Sequence, residues 1–368
     1  MFNPNRLTVA RKRRGFTMTR LAQLLGVELR SVSAYENGEF TPSGGTLENI
    51  SKVLDFPISF FSQDDLEEIS PDTASFRAMS KMSASKRDIA LYSGSIALLL
   101  NNAIESRFHL PEIDLPDLSR EPAPEAAADS LRRHWGLGEL PIKNIVHLLE
   151  AKGVRIFSLC VDAVEVDAFS LWRESQPFVF LNTMKSGERM RFDCAHELGH
   201  LAIHRHGADQ GVINGSQELE KEANEFASAF LMPRSSVLAH APKFVTVEKL
   251  VHIKKIWGVS VAALAYRMHR LEIISDWHYR ELFKQLAKLG YRKEEPETMP
   301  HETSQVLQKV FVALRNEGSG KSDIAAEIHV NREDVDQLVF GLILNSVKGS
   351  NVSGTKITSS KARLHLVK

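Results

Sequence analysis

Two cysteines in 368 residues, Cys160 and Cys194, argue against a disulfide framework and suit a reducing compartment. The chain also lacks the run of about 18 apolar residues that a membrane-spanning helix needs. Its densest apolar stretch, Ile96–Leu100, belongs to a mixed segment. The opening residues, Met1 to Arg6, lead into a polar, basic segment and do not read as a secretory leader. Net charge is missing as well: 46 Lys and Arg balance 46 Asp and Glu, so the whole chain carries no electrostatic footprint for nucleic acid. These absences predict a cytoplasmic protein with no membrane partner. What is present, 43% hydrophobic and 25% charged residues, is ordinary globular composition, and the length predicts two or three domains.

Charge that cancels overall is uneven locally. Residues 1–45 hold seven Arg and Lys (Arg6, Arg11, Lys12, Arg13, Arg14, Arg20 and Arg30) against three Glu, a net of +4. Residues 5–61 read as four short helices. Gly15 ends the first, Gly26-Val27 turns between the second and third, and Gly38 stops the third. Helix, tight glycine turn, helix is the helix-turn-helix pattern, and a basic first helix beside a recognition helix suits phosphate contacts. A solvated basic face is the plain alternative. The segments Arg14-Gly-Phe-Thr17, Leu21-Ala22, Leu25-Gly26-Val27, Val32-Ser33-Ala-Tyr35-Glu36-Asn37-Gly38, Pro42 and Leu47 resemble the XRE/Cro family of repressor-type DNA-binding domains. Met18 and Leu29 stand where that family usually offers glutamine. The resemblance implies DNA as a partner, with Arg14, Arg30, Ser31 and Ser33 as the contact residues.

Residues 62–124 read as a bridge. Positions 75–108 show apolar residues every three or four, which predicts a bridging or dimer-forming helix and allows a homodimer. Pro111, Pro116, Pro122 and Pro124 then mark a linker or an extended strap. Beyond it, helices are expected near 126–135 and 142–152. Three strands of a small antiparallel sheet follow at 154–159, 168–171 and 178–181, and the edge strand could align an extended substrate.

The chemistry is concentrated after the sheet, in Arg191-Phe-Asp-Cys-Ala-His196-Glu197-Leu-Gly-His200-Leu-Ala-Ile-His204. Residues four apart share a helix face, so His196 and His200 can direct both imidazoles at one Zn²⁺, with Glu197 set to take a proton from water. Alone, the five-residue pattern also fits two satisfied core histidines. A catalytic zinc needs a third protein ligand and an open position. His206 has the right spacing for one such class, but Ile203 stands where that pattern needs a turning glycine. His204 is more apt to neighbour the site. Glu222, on a later helix striped with Ala223, Phe226, Ala227, Phe230 and Leu231, sits next to Ala223 and one turn before Phe226. A glutamate about twenty residues after the second histidine is the gluzincin arrangement. His204, His206 and Tyr266 are the candidates to stabilise an oxyanion or bind substrate.

Taken together, Met190-Arg191-Phe192, the His-Glu-x-x-His run, Glu222-Ala-Asn224-x-Phe226-Ala227, Leu231-Met-Pro233, Asp167-Ala-Phe-Ser170 and Phe178-Val-Phe-Leu-Asn182 resemble the ImmA/IrrE family of metallopeptidases over roughly residues 125–240. That resemblance implies zinc held by His196, His200 and Glu222, with Glu197 catalytic. It also implies a protein substrate, often a repressor of the XRE class. The predicted fold is multidomain and mostly α. An all-α helix-turn-helix domain (5–61) and the bridge (62–124) precede an α+β zincin-like, gluzincin-type peptidase domain (125–240). C-terminal helices (241–346) and a flexible tail (347–368) complete it. The expected function is a DNA-binding regulator whose zinc endopeptidase cuts a regulatory protein. The rival readings are a transcription factor whose peptidase-like domain senses a ligand or metal, and a toxin–antitoxin or phage-defence component.

Overall fold

The computed structural model describes residues 1–70, 75–76, 83–159, 166–205, 217–343 and 365–366. Four helices open the chain: α1 (Pro4–Arg13), α2 (Met18–Leu25), α3 (Leu29–Glu36) and α4 (Gly44–Leu54). Local chemistry sets their ends. Asn3, Thr17 and Ser43 each accept a backbone N–H of the first turn, and Gly26 takes the left-handed conformation (φ 67°) that closes α2. Buried Arg11 grips Glu36 through two hydrogen bonds of 2.6 and 2.7 Å, which fixes α1 against the last residue of α3.

The bridge differs from the sequence expectation at its start. Ser75–Phe76 form a short strand, β1, and the helix, α5, runs only from Ala84 to Glu105. Every residue from Ile89 to Leu98 on α5 is buried, because α1 packs on one side and Phe169 and Phe180 of the sheet meet Gly94 on another. Over that stretch α5 is buried as a bridging core element is. A further short strand, β2 (Phe108–His109), pairs with β6 (His365–Leu366) in the tail that was expected to be flexible; 344–364 and 367–368 lie outside the described residues. The proline-rich stretch is the strap alternative: Asp114 N–H donates to Lys152 O at 3.0 Å and Leu118 N–H to Ala202 O at 2.9 Å.

Next come α6 (Pro124–His134), α7 (Ile145–Ala151), β3 (Arg155–Ser158), β4 (Ala168–Arg173), β5 (Gln176–Leu181), α8 (Gly187–Ile203) and α9 (Gln217–Leu231). The sheet order is β1-β4-β5-β3. It is mixed, not antiparallel as expected, since β3 runs parallel to β5 (Ile156 opposite Val179) while β4 runs antiparallel to it. Glu174, at φ 53°, makes the two-residue turn between β4 and β5. Phe178 to Leu181 are all buried, as a strand covered on both faces requires.

The remaining helices are α10 (Arg234–His240), α11 (Val247–Ile253), α12 (Val261–Arg270), α13 (Asp276–Lys288), α14 (Gln305–Asn316), α15 (Lys321–Glu327) and α16 (Arg332–Leu338). They are tied to the peptidase-like part by buried charges. Glu302 pairs with Arg191 of α8 and caps α7 through Ile145 N–H at 2.8 Å. Lys254 meets Glu188 of α8 at 2.8 Å. Buried apolar side chains form one connected core from Leu7 to Leu342, so the segments distinguished in the sequence are packed together.

That packing turns the basic first helix inward. Arg6, Arg11 and Arg13 are buried, and Lys12 bonds Tyr92 of α5. Arg14, expected at DNA, instead bonds both carboxylate oxygens of Asp334 on α16, at 2.9 and 3.1 Å, and the carbonyls of Leu54 and Asp55. Asp334 is also 3.5 Å from Arg13, and both side chains are 1% exposed. Removing one partner of a buried charge cluster leaves the others uncompensated. Asp334→Ala should therefore destabilise the protein by about 3 kcal/mol or more, and Asp334→Asn by less, read from urea unfolding midpoints.

Candidate metal centre

Helix α8 begins at Ser186, whose hydroxyl accepts Arg189 N–H at 3.3 Å. It is nearly all buried, from Gly187 to Ala202, and the helical repeat brings His196 and His200 onto one face. Gly199, between them, is where α9 crosses. A Cβ there would meet Phe226 Cδ1 at 3.1 Å and Ala223 Cα at 3.3 Å, so hydrogen at this position sets how near α9 can come. Ala223 and Ala227 supply the small residues on the other side.

The carboxylate that α9 delivers belongs to Glu220. It lies one helical turn before Ala223 and two before Ala227, so it shares their face. The Nε2 atoms of His196 and His200 are 3.1 Å apart, and each is 3.4 Å from an oxygen of Glu220. Direct N–H···O bonds cluster near 2.9–3.0 Å. Ligands 2.0–2.2 Å from a tetrahedral ion sit about 3.3–3.5 Å apart, which these spacings approach. Two imidazoles and a carboxylate are also the donor set of a catalytic zinc site, and they are the one such cluster found among the described residues. Burial, helped by the neighbouring His196, pushes His200 down to about 4, leaving the neutral imidazole that binds metal. Burial alone would raise Glu220, but the two histidines outweigh it and hold the carboxyl well below its ordinary value.

The structure thus corrects one expected ligand. Glu222 is about 100° round the helix from Ala223 and turns to His204, whose Nε2 is 2.9 Å from Glu222 Oε2. The other nitrogen of His204 faces His200, Nδ1 to Nδ1, at 2.9 Å. The chain has one consistent proton arrangement. With His200 Nε2 free to ligate, His200 Nδ1–H donates to His204, and His204 Nε2–H donates to Glu222. Such outer partners fix a ligand's ring and tautomer. Thus His204 lies between His200 and Glu222, within hydrogen-bond distance of both.

Glu197 is buried beside this cluster, and Ser170 of β4 donates to its Oε2 at 2.7 Å. Ser170 has no counterpart in a one-dimensional motif search, because its role depends on β4 crossing α8. Cys194 is buried in the core, and burial raises its thiol. Tyr266 is partly exposed on α12; burial, and then the nearby Tyr266, raise the phenol of Tyr279. No hydrogen bond joins Tyr266 to the histidines among the described residues. His206 lies outside the described residues. At the other end of the chain, Arg30 is exposed on α3, with Ser31 and Ser33 half-buried on the same helix.

A helical N-terminal unit joined to a His-Glu-x-x-His helix, a mixed sheet and a second acidic helix defines a two-part protein. Residues 149–269 match the family described as the IrrE N-terminal-like domain, of the M78 peptidases. Residues 9–61 match the helix-turn-helix family. The chain carries both domains. It is also 28% identical to an uncharacterized HTH-type transcriptional regulator of Sinorhizobium medicae over 99 residues, 27% of this chain and 69% of that protein. A protein of Rhizobium meliloti described in the same words matches to the same extent. No helix among the described residues is long and apolar enough to cross a membrane.

The two glutamates are separable by metal content. Glu220→Ala should lose bound zinc, measured by elemental analysis of the purified chain. Glu222→Ala should retain it with an affinity roughly 10–100-fold weaker, the usual size of an outer-partner effect. Loss of zinc from the Glu222 variant with full retention in the Glu220 variant would reverse the assignment.

Proposed function

We propose that the protein is a DNA-binding regulator with a zinc-dependent endopeptidase site that hydrolyses a peptide bond in another regulatory protein. The observation that carries the reading is the convergence of His196, His200 and Glu220 beside a buried Glu197. Zinc bound by those three would supply the positive charge that acidifies water and polarises a carbonyl. Glu197 takes the proton from the attacking water and passes it to the leaving amine. Ser170 holds the Glu197 carboxylate in place, and the His200–His204–Glu222 chain keeps His200 in its ligating tautomer. The resemblance to the ImmA/IrrE family favours a repressor of the XRE class as the substrate, and the N-terminal domain would place the enzyme at DNA.

Glu197→Gln keeps the three ligands and removes the base. It should bind one zinc per chain while hydrolysis falls about 10²–10⁴-fold, the range of general acid–base catalysis. Incubating the variant and the wild type with a purified XRE-class repressor, and following fragments by mass spectrometry, checks this. Equal cleavage rates would remove Glu197 from the mechanism.

For DNA, the inward-turned cations leave Arg30 and Arg20 exposed on the helix-turn-helix. Arg30→Ala should reduce the slope of log affinity against log salt by about 0.9 if Arg30 neutralises one phosphate. Arg14→Ala should leave that slope unchanged, because Asp334 already holds the guanidinium. Fluorescence anisotropy on a DNA duplex across a salt series distinguishes the two.

A further inference from the structure

We propose that the outer edge of β4 is a seat for an extended polypeptide, and that the chain's own Ser75–Phe76 segment is its resident occupant. The functional meaning of that seat rests on the peptidase reading; its occupancy does not. β4 has two edges. One is taken by β5 along its whole length, from Ala168 opposite Leu181 to Arg173 opposite Gln176. Among the described residues, the other pairs with β1 over two residues, antiparallel, with Ser75 opposite Ser170 and Phe76 opposite Phe169.

The location gives this pairing its consequence. Ser170 is the residue that bonds Glu197. Residues directly opposite in an antiparallel pair have Cα atoms roughly 4.5–5.5 Å apart, so the backbone of Ser75 lies one strand spacing from the residue that positions the candidate base. The approach to β1 follows β4 in the same sense. Glu67 pairs with Arg173 at the far end of β4 at 2.6 Å, and Ile69 is buried with its Cδ1 against Gly94 of α5. Glu67 thus lies at the Arg173 end of β4, and Ser75 and Phe76 lie opposite Ser170 and Phe169 nearer its start.

A strand edge accepts any extended backbone, because the ladder uses main-chain N–H and C=O groups. The described part of β1 pairs over two residues, and it is tethered, so its local concentration is high. A polypeptide arriving from solution must displace it. This segment also joins the helix-turn-helix domain to α5, so an incoming polypeptide competes with the chain that connects the two functional parts.

The test uses full-length protein carrying Glu197→Gln and loaded with zinc, so that binding is read without hydrolysis. The probe is a fluorescein-labelled peptide of residues 70–82. Ser75→Pro with Phe76→Pro removes both backbone N–H donors from β1. Anisotropy should show the peptide binding the double-proline protein at least tenfold more tightly than the parent. Amides of 168–172 should exchange hydrogen faster in that protein and slow again when peptide is added. Ser75→Gly with Phe76→Gly, which keeps the donors but weakens the strand, should give a smaller shift in the same direction and guards against misfolding of the proline form. Equal peptide affinity in the parent and both variants would overturn the proposal. So would equally tight binding of a probe peptide bearing the two prolines. If the peptide binds as expected while the wild-type enzyme cleaves nothing, the edge site stands and the peptidase reading falls.

Discussion

The close crossing of α8 and α9 is the constraint on which the candidate centre depends. Two histidines on one helix face can direct their imidazoles at a common point, but they cannot supply the third donor. That donor must come from a second backbone held near enough for a short carboxylate to reach. Gly199 lies inside the histidine motif and faces Ala223 and Phe226, with no room for a larger side chain without movement of α9. The glycine between the ligands is therefore part of the site's geometry rather than filler, and the alanines at 223 and 227 complete the contact.

This crossing also explains which parts of the site were legible in the sequence. His196, Glu197 and His200 declare themselves because their relation is local: four residues apart on one helix. The third donor depends on the phase of another helix about the contact. The small residues Ala223 and Ala227 mark the face turned to α8, and Glu220 shares it at three and seven residues' distance. Counting back from the alanines points to Glu220, whereas adjacency to Ala223 points to Glu222. In the sequence Ser170 is one residue of a strand, and its bond to Glu197 exists through tertiary packing.

The fold shows the same division. Helix ends set by Thr17, Ser43 and Gly26 and the general mostly-α organisation follow from short-range chemistry. The sheet's mixed direction does not, because β3 and β5 are brought side by side by a crossing that leaves no pattern in either strand. Nor could charge counting foresee the fate of the basic first helix. A count of cations in residues 1–45 carries no information about Asp334 and Gln337, some 320 residues away, to which Arg13 and Arg14 turn on α16.

The inward turn of α1 bears on how the two functional parts communicate. A helix-turn-helix domain on a free linker would keep its cations for DNA and move independently of anything attached to it. Here α1 spends Arg13 and Arg14 on α16 and Lys12 on α5, and α5 in turn lies under the sheet that carries Ser170. The same sheet takes its edge strand from the segment that leads out of the DNA-binding domain. Binding at either end therefore meets a packed body rather than a hinge. A polypeptide settling on β4 has to displace chain that is continuous with the DNA-binding domain. Conversely, any shift of α1 on DNA is resisted by the buried charges on α16. Coupling between the two ends would then require that the β1–β4 ladder have two states, paired and open, with different affinities for what binds at each end.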